Sequence, residues 1–226
     1  MDPSAVKIRI APAIMDADLG RLADQIQALE EAGADLFHVD VMDGTYVPSH
    51  VGGERITKAV RQYAAVPVHA HLMVRDPASA VDRFADTGAD MLIFHPDATD
   101  DPRAVIERLR RAGREVGIAL NPDVSLRSVE TLIDEVDCIL AMTVFPGFSG
   151  QRFIEAGCAK LRALSPAQRE RLGICVDGGL CEATVGVAVG HGANIIAAAS
   201  AIFRAQAPPG EALRRLREVI NGSAAR

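Results

Sequence analysis

His38 and Asp40 stand two residues apart in the apolar run Phe-His-Val-Asp-Val-Met-Asp-Gly, residues 37–44. Side chains two apart on a strand point to the same face. A strand here therefore sets an imidazole and a carboxylate side by side in a buried place. Buried charge is costly unless it is paired or coordinated, and one divalent metal ion would coordinate both groups. Two later segments could complete such a site: His71 in Val-His-Ala-His-Leu-Met-Val and Asp177 in Ile-Cys-Val-Asp-Gly-Gly, each ending a strand-like run. Two imidazoles and two carboxylates suit Zn²⁺, Fe²⁺, Mn²⁺ or Co²⁺, with zinc the first expectation. A lone His-x-Asp reads as a hydrogen-bonded core pair; four such residues in this context read as a metal site.

The elements that must position these residues alternate from end to end. Strands are expected at 6–13, 35–42, 66–73, 90–95, 115–120, 137–143, 172–177 and 194–199, with helical patterns between them. Leu19, Leu22, Ile26 and Leu29 recur at helical spacing within residues 18–32. Pro77 and Pro102 each suit a first helical position. Gly33, Gly88, Gly113 and Gly192 each suit a left-handed cap before the next strand. This recurring helix–glycine–strand phrase is a weak internal repeat. Eight strands alternating with helices over residues 1–226, without a linker, indicate a single-domain α/β fold, a (β/α)₈ TIM barrel with a short frayed C-terminal tail. An open doubly wound sheet is the competing arrangement.

In a barrel the active site lies at the carboxyl ends of the strands, and phosphate usually binds after strands seven and eight. The metal candidates all fall there. So do the turns Pro146–Gly150 after strand six, Gly178–Gly179 after strand seven and Ala199–Ser200 after strand eight. Glycine-rich turns expose backbone N–H groups and make a natural anion cradle.

Bulk properties narrow the class. With 226 residues, 49% hydrophobic and 24% charged, the chain can bury a sizeable core as one domain. A net charge of −6 and the lack of any basic run argue against nucleic-acid binding. The four cysteines, Cys138, Cys158, Cys175 and Cys181, show neither CxxC pairs nor disulfide-framework spacing. No apolar signal core opens the sequence, and no run is long enough to cross a membrane. A soluble, cytoplasmic protein with reduced thiols and no membrane partner is expected.

The chain resembles the ribulose-phosphate 3-epimerase family of metal-dependent barrel isomerases from about Ile10 to Phe203. The resemblance is carried by APAIMDADLGRL, HVDVMDGTYVPS, HLMV, GADMLIFH, ALNP, MTVFPGFSGQRF, VDGG and SAIF in that order. It implies one divalent ion per subunit on His38, Asp40, His71 and Asp177, with Asp40 and Asp177 moving the protons. It further implies a carbohydrate-metabolism enzyme of pentose phosphate chemistry, acting on a small ketose phosphate and assembling as a homo-oligomer. Substrate and phosphate contacts are expected from His71, Gly147, Phe148, Ser149, Gly150, Gly178, Gly179, Ala199 and Ser200. Met42, Met73 and Met142 match family methionines placed beside the intermediate, where apolar sulfur excludes water.

Inverting a hydroxyl-bearing carbon beside a ketone removes one proton and returns another to the opposite face. A metal ion stabilises the enediolate as a Lewis acid, and two carboxylates on opposite sides serve as base and acid. The resemblance implies Asp40 as base from the ribulose side and Asp177 as acid, with roles exchanged in reverse. The expected reaction interconverts D-ribulose 5-phosphate and D-xylulose 5-phosphate.

Some positions depart from the family pattern: Ala13 stands for a serine, Ala199 for a glycine, Ser149 for a glycine, His69 for an aspartate, and Thr45-Tyr46 for a His-Phe pair. These leave two alternatives, an epimerase for another ketose phosphate such as D-allulose 6-phosphate, or a phosphosugar-binding barrel without catalysis. His69 shares a face with His71 and is expected to support the site or fill a core layer rather than ligate. His95, at a strand end, could contact substrate or make a structural hydrogen bond. Cys175 is expected to be a small core residue.

Overall fold

A computed structural model describes residues 7–224 of the chain. Eight parallel strands alternate with helices: β1 (Arg9–Pro12), β2 (Phe37–Asp43), β3 (Val68–Met73), β4 (Met91–Phe94), β5 (Glu115–Leu120), β6 (Cys138–Met142), β7 (Gly173–Asp177) and β8 (Ile195–Ala198). Each pairs in parallel with its neighbour, β1 with β8, and a parallel bridge from Ala13 to His38 brings β1 against β2 to complete the ring. This is the expected barrel. A two-residue strand, His50–Val51, folds back antiparallel on Met42 and Asp43. Sequence reading does not reach it, because two residues carry no readable alternation.

Alternation of inward and outward side chains sorts the residues into two cores. Outward-facing Ile10, Phe37, Val39, Leu92, Ile118 and Val176 pack beneath the helices. Inward-facing Leu36, Ile93, Ala119, Leu140, Cys175 and Ile195 fill the barrel axis. His38, Asp40 and Met42 alternate in β2, and their register neighbours in β3 are His69, His71 and Met73. The candidate ligands therefore lie in adjoining rows above a filled apolar floor.

The helices follow their sequence signals. The helices Pro77–Ala85 and Pro102–Arg111 start with proline, and the carboxylates of Asp76 and Asp101 accept from Ser79 N and Ala104 N, satisfying orphan donors of the first turn. α1 spans Leu22–Glu31 and buries Leu22, Ile26 and Leu29. Leu19 instead lies in a preceding 3₁₀ turn, Leu19–Arg21, and is exposed; the side chain of Asp18 caps that turn at Gly20 N and starts the helical path before α1. Between β5 and β6 the expected helical stretch is a 3₁₀ run, Leu126–Glu135, whose Leu126, Val129, Leu132 and Ile133 are buried. The last helix among the described residues, Pro209–Ala224, reaches their end; any tail beyond it lies outside them.

The internal repeat has a physical meaning. Asp35, Asp90, Asp137 and Asn194, each just ahead of an even-numbered strand, accept from the amide of the first or second residue of the preceding odd-numbered strand. The pairs are Ile10 N at 2.9 Å, Val68 N at 2.8 Å, Val116 N at 2.8 Å and Ile174 N at 2.7 Å. Arg217, Arg61 and Arg110 pair with the three carboxylates. Gly33-Ala34-Asp35, Gly88-Ala89-Asp90 and Gly192-Ala193-Asn194 thus each encode a helix cap followed by a clamp on the previous strand at the barrel's amino end, while Asp137 makes the same clamp after Glu135-Val136, without a glycine.

Candidate metal centre and cavity

At the carboxyl end of the barrel, β2, β3 and β7 deliver one imidazole or carboxylate after another to a common point. His38 and His71 are fully buried, Asp40 is 3% exposed and Asp177 is 9% exposed. Their nearest donor atoms all lie within 4.8 Å of one another. Nε2 of His38 is 3.5 Å from an Asp40 oxygen and 3.7 Å from an Asp177 oxygen. Nδ1 of His71 is 3.5 and 3.6 Å from the same two oxygens, and the two ring nitrogens are 3.4 Å apart.

These separations are long for charge-assisted hydrogen bonds, which run about 2.7–2.9 Å. One ion bonded at about 2.0–2.2 Å would hold two tetrahedral ligands roughly 3.3–3.6 Å apart. The donor set therefore fits a divalent cation, whose charge would offset both buried carboxylates. Burial alone would lower the basicity of His71, but Asp177 and Asp40 outweigh it and raise its pKa to about 9. Burial opposes ionisation of Asp40, yet the His38 and His71 rings hold its carboxyl well below the usual range.

All four metal candidates are brought together. His69 is buried one row below; burial pushes its pKa down to about 3, and it stands outside the ligand group. Burial pushes the Cys175 thiol well up, as suits an inert core residue.

Asp40 and Asp177 open into a cavity that reaches solvent at the carboxyl end of the barrel. Met42, Met73 and Met142 line it, as does Met15, which lies within the APAIMDADLGRL motif but has no role assigned to it from sequence. The residues Gly147 to Gly150, Gly178, Gly179, Ala199 and Ser200 form its other side. His71 is absent from this lining: Nδ1 faces the carboxylates and Nε2 faces His95, so the ring has no open edge toward a substrate phosphate. Ala13 is also buried, beside His38 where the ring of strands closes.

Gly178 and Gly179 turn the chain back over β7 with φ of 108° and 64°. A Cβ at Gly178 would lie 2.4 Å from Val144 Cγ2, and one at Gly179 would lie 2.8 Å from Phe153 N. Only glycine fits this close approach. Thr143 secures the turn, its hydroxyl lying within hydrogen-bond reach of the carbonyls of Asp177 and Gly178, to one of which its single hydrogen is donated. Across the cavity, Ser149 donates to the carboxylate of Asp16, which also pairs with Arg204 at 2.6 Å. Asp16, with its side chain only 5% exposed, thus joins the loop after β6 to the segment following β8. The separation of 133 residues between Asp16 and Ser149 left no local signal of this contact.

Fold and site together define a (β/α)₈-barrel isomerase with a candidate divalent-metal centre between two carboxylates. The chain belongs to the ribulose-phosphate 3-epimerase family, whose sequence profile matches residues 9–203. Relatives named ribulose-phosphate 3-epimerase include proteins of Methanocaldococcus jannaschii, 41% identical with 87% of this chain and 84% of the relative covered, and Bacillus subtilis, 36% identical with 87% and 92% covered. Among solved structures, 3-hexulose-6-phosphate synthase from Salmonella typhimurium superposes with a TM-score of 0.74 at 18% identity, covering 96% of this chain and all of that one. KGPDC from Streptococcus mutans does so at 0.70 and 15%, covering 96% and 99%. These two likenesses bear on the fold alone.

Proposed function

We propose that this chain inverts carbon 3 of D-ribulose 5-phosphate to give D-xylulose 5-phosphate. The observation that carries the reading is the pairing of two buried carboxylates, from β2 and β7, around the same two imidazoles at the floor of one cavity. When bound by His38, Asp40, His71 and Asp177, a divalent ion supplies Lewis-acid stabilisation to the substrate oxygens; zinc is the first candidate.

The chain's own residues do the rest. Asp40 accepts the carbon-3 proton from one face of the sugar. Asp177, reaching in from a different strand, delivers a proton to the other face, and the roles reverse for the return reaction. Met42, Met73 and Met142 present apolar sulfur to the reacting atoms and exclude water. The glycine turns at 147–150 and 178–179, with Ala199 and Ser200, receive the phosphate through backbone N–H groups. The exposed loop residues Phe145 and Phe148 give the turn after β6 the character of a lid.

Steady-state kinetics on D-ribulose 5-phosphate and D-allulose 6-phosphate test the substrate. Higher kcat/KM on the pentulose supports the reading, and higher kcat/KM on the hexulose overturns it in favour of a sister epimerase. A cytoplasmic homo-oligomer accompanies this reading, since the family assembles; sedimentation velocity checks the assembly.

A further inference from the structure

His95 follows β4 and is fully buried against the site, yet it is not one of the four converging ligands. Its Nε2 lies 2.9 Å from Nε2 of His71, and the two rings stack with centroids 5.1 Å apart at 22°. The other nitrogen of His71, Nδ1, is the one that faces His38, Asp40 and Asp177.

These positions fix where the hydrogens lie on a neutral, ligating His71. If Nδ1 gives its lone pair to an ion, the ring hydrogen must sit on Nε2. The His71 Nε2–H then donates to His95 Nε2, which can only accept. His95 must in turn carry its own hydrogen on Nδ1. That atom is buried without a partner and lies 3.9 Å from an Asp97 oxygen.

Asp97 is itself fastened. The Tyr46 hydroxyl donates to Oδ1 at 3.0 Å, and Asn121 Nδ2 donates to Oδ2 at 3.3 Å and to the Tyr46 hydroxyl at 3.0 Å. The Tyr46 ring also packs on His95, centroid to centroid at 4.9 Å. Three loops, after β2, β4 and β5, thus meet behind one candidate ligand.

We propose that His95 is a positioning residue, which fixes the tautomer and aim of His71 through their Nε2–Nε2 hydrogen bond and so sets the affinity of the site for its ion. Asp97, held by Tyr46 and Asn121, is the anchor toward which the far side of His95 points. The inference rests on the metal reading of the four ligands, and its test separates the two. Partners that orient metal-binding histidines are typically worth about 10–100-fold in affinity.

The test is chelator competition for Zn²⁺ and Co²⁺ on ion-stripped wild type, His95→Gln, His95→Leu and Asp97→Ala, with thermal melts of each ion-free protein. His95→Leu removes the acceptor and should weaken both ions about 10–100-fold. It should also alter the visible absorption of the bound Co²⁺. His95→Gln retains an acceptor oxygen and should recover most of the affinity. Asp97→Ala lies at the half-exposed end of the chain of contacts and should shift affinity the same way by less. Affinity equal to wild type in both His95→Leu and Asp97→Ala overturns the role of His95 while leaving the metal reading intact. Wild-type protein that binds neither ion overturns the metal reading, and this inference with it.

Discussion

Asp40 and Asp177 share the same two imidazole nitrogens: Nε2 of His38 and Nδ1 of His71 each lie 3.5 to 3.7 Å from both carboxylates. The two acids are 137 positions apart in sequence and come from β2 and β7. In the proposed reaction the pair works on a planar intermediate from two sides, so their removal should separate two halves of one reaction. In Asp177→Asn, kcat for epimerisation should fall by about 10²–10⁴. Because Asp40 is intact, the carbon-3 proton of D-ribulose 5-phosphate should still wash out into D₂O. NMR reads both. Full turnover in this variant would sink the assignment of Asp177 as acid.

Metal uptake should release a proton. His71 titrates near 9 in the ion-free site, raised from 6.5 by Asp177 and Asp40, and a ligand nitrogen must be free of its hydrogen. Affinity should therefore rise about tenfold per pH unit up to pH about 9 and then level off. Calorimetry in buffers of different ionisation enthalpy counts the proton. The same shift fixes the stability trend of ion-free protein. The contribution of charged His71 is complete below about 6.5 and is lost as the pH rises through about 9. An affinity flat between pH 6.5 and 8.5 would contradict both statements.

Ser149→Ala removes the hydroxyl that ties the loop after β6 to Asp16. A hydrogen bond to a charged group is worth about 1.5–3 kcal/mol, and loss of part of that from loop closure should raise KM roughly five- to tenfold with little change in kcat. Steady-state kinetics decide it, and a KM within twofold of wild type would mean that Asp16 does not secure the loop.

Asp35→Ala tests the clamp at the opposite end. The Asp35 carboxylate accepts from Ile10 N and pairs with Lys7 and Arg217. Its loss strands a donor at the start of β1 and should cost about 2 kcal/mol in urea unfolding. Activity at 25 °C should be unchanged, since the barrel's amino end is remote from the cavity. Reduced kcat with unchanged stability would be the wrong pattern.

The barrel and its candidate ligands are legible in the sequence because both obey local rules. Strand-end placement of His38, Asp40, His71 and Asp177 follows from alternation and fold order, and Gly33, Gly88, Gly113 and Gly192 do adopt positive φ ahead of their strands. Contacts between distant loops leave no such trace. Tyr46, Asp97 and Asn121 meet at separations of 24 to 75 residues, and each alone reads as an ordinary loop or strand-end residue. His95 has only its strand-end position to mark it. The 3₁₀ run at Leu126–Glu135 reads as helical because 3₁₀ and α segments present similar apolar spacing over two or three turns.

Proton exchange at carbon 3 of D-ribulose 5-phosphate, followed by NMR in D₂O with Zn²⁺-loaded protein, tests carbon-3 epimerisation most directly. D-xylulose 5-phosphate should appear with deuterium at carbon 3, and stripping the ion should stop both exchange and product formation. A protein that binds its ion at the four ligands yet neither exchanges the proton nor forms the product would contradict the proposed reaction.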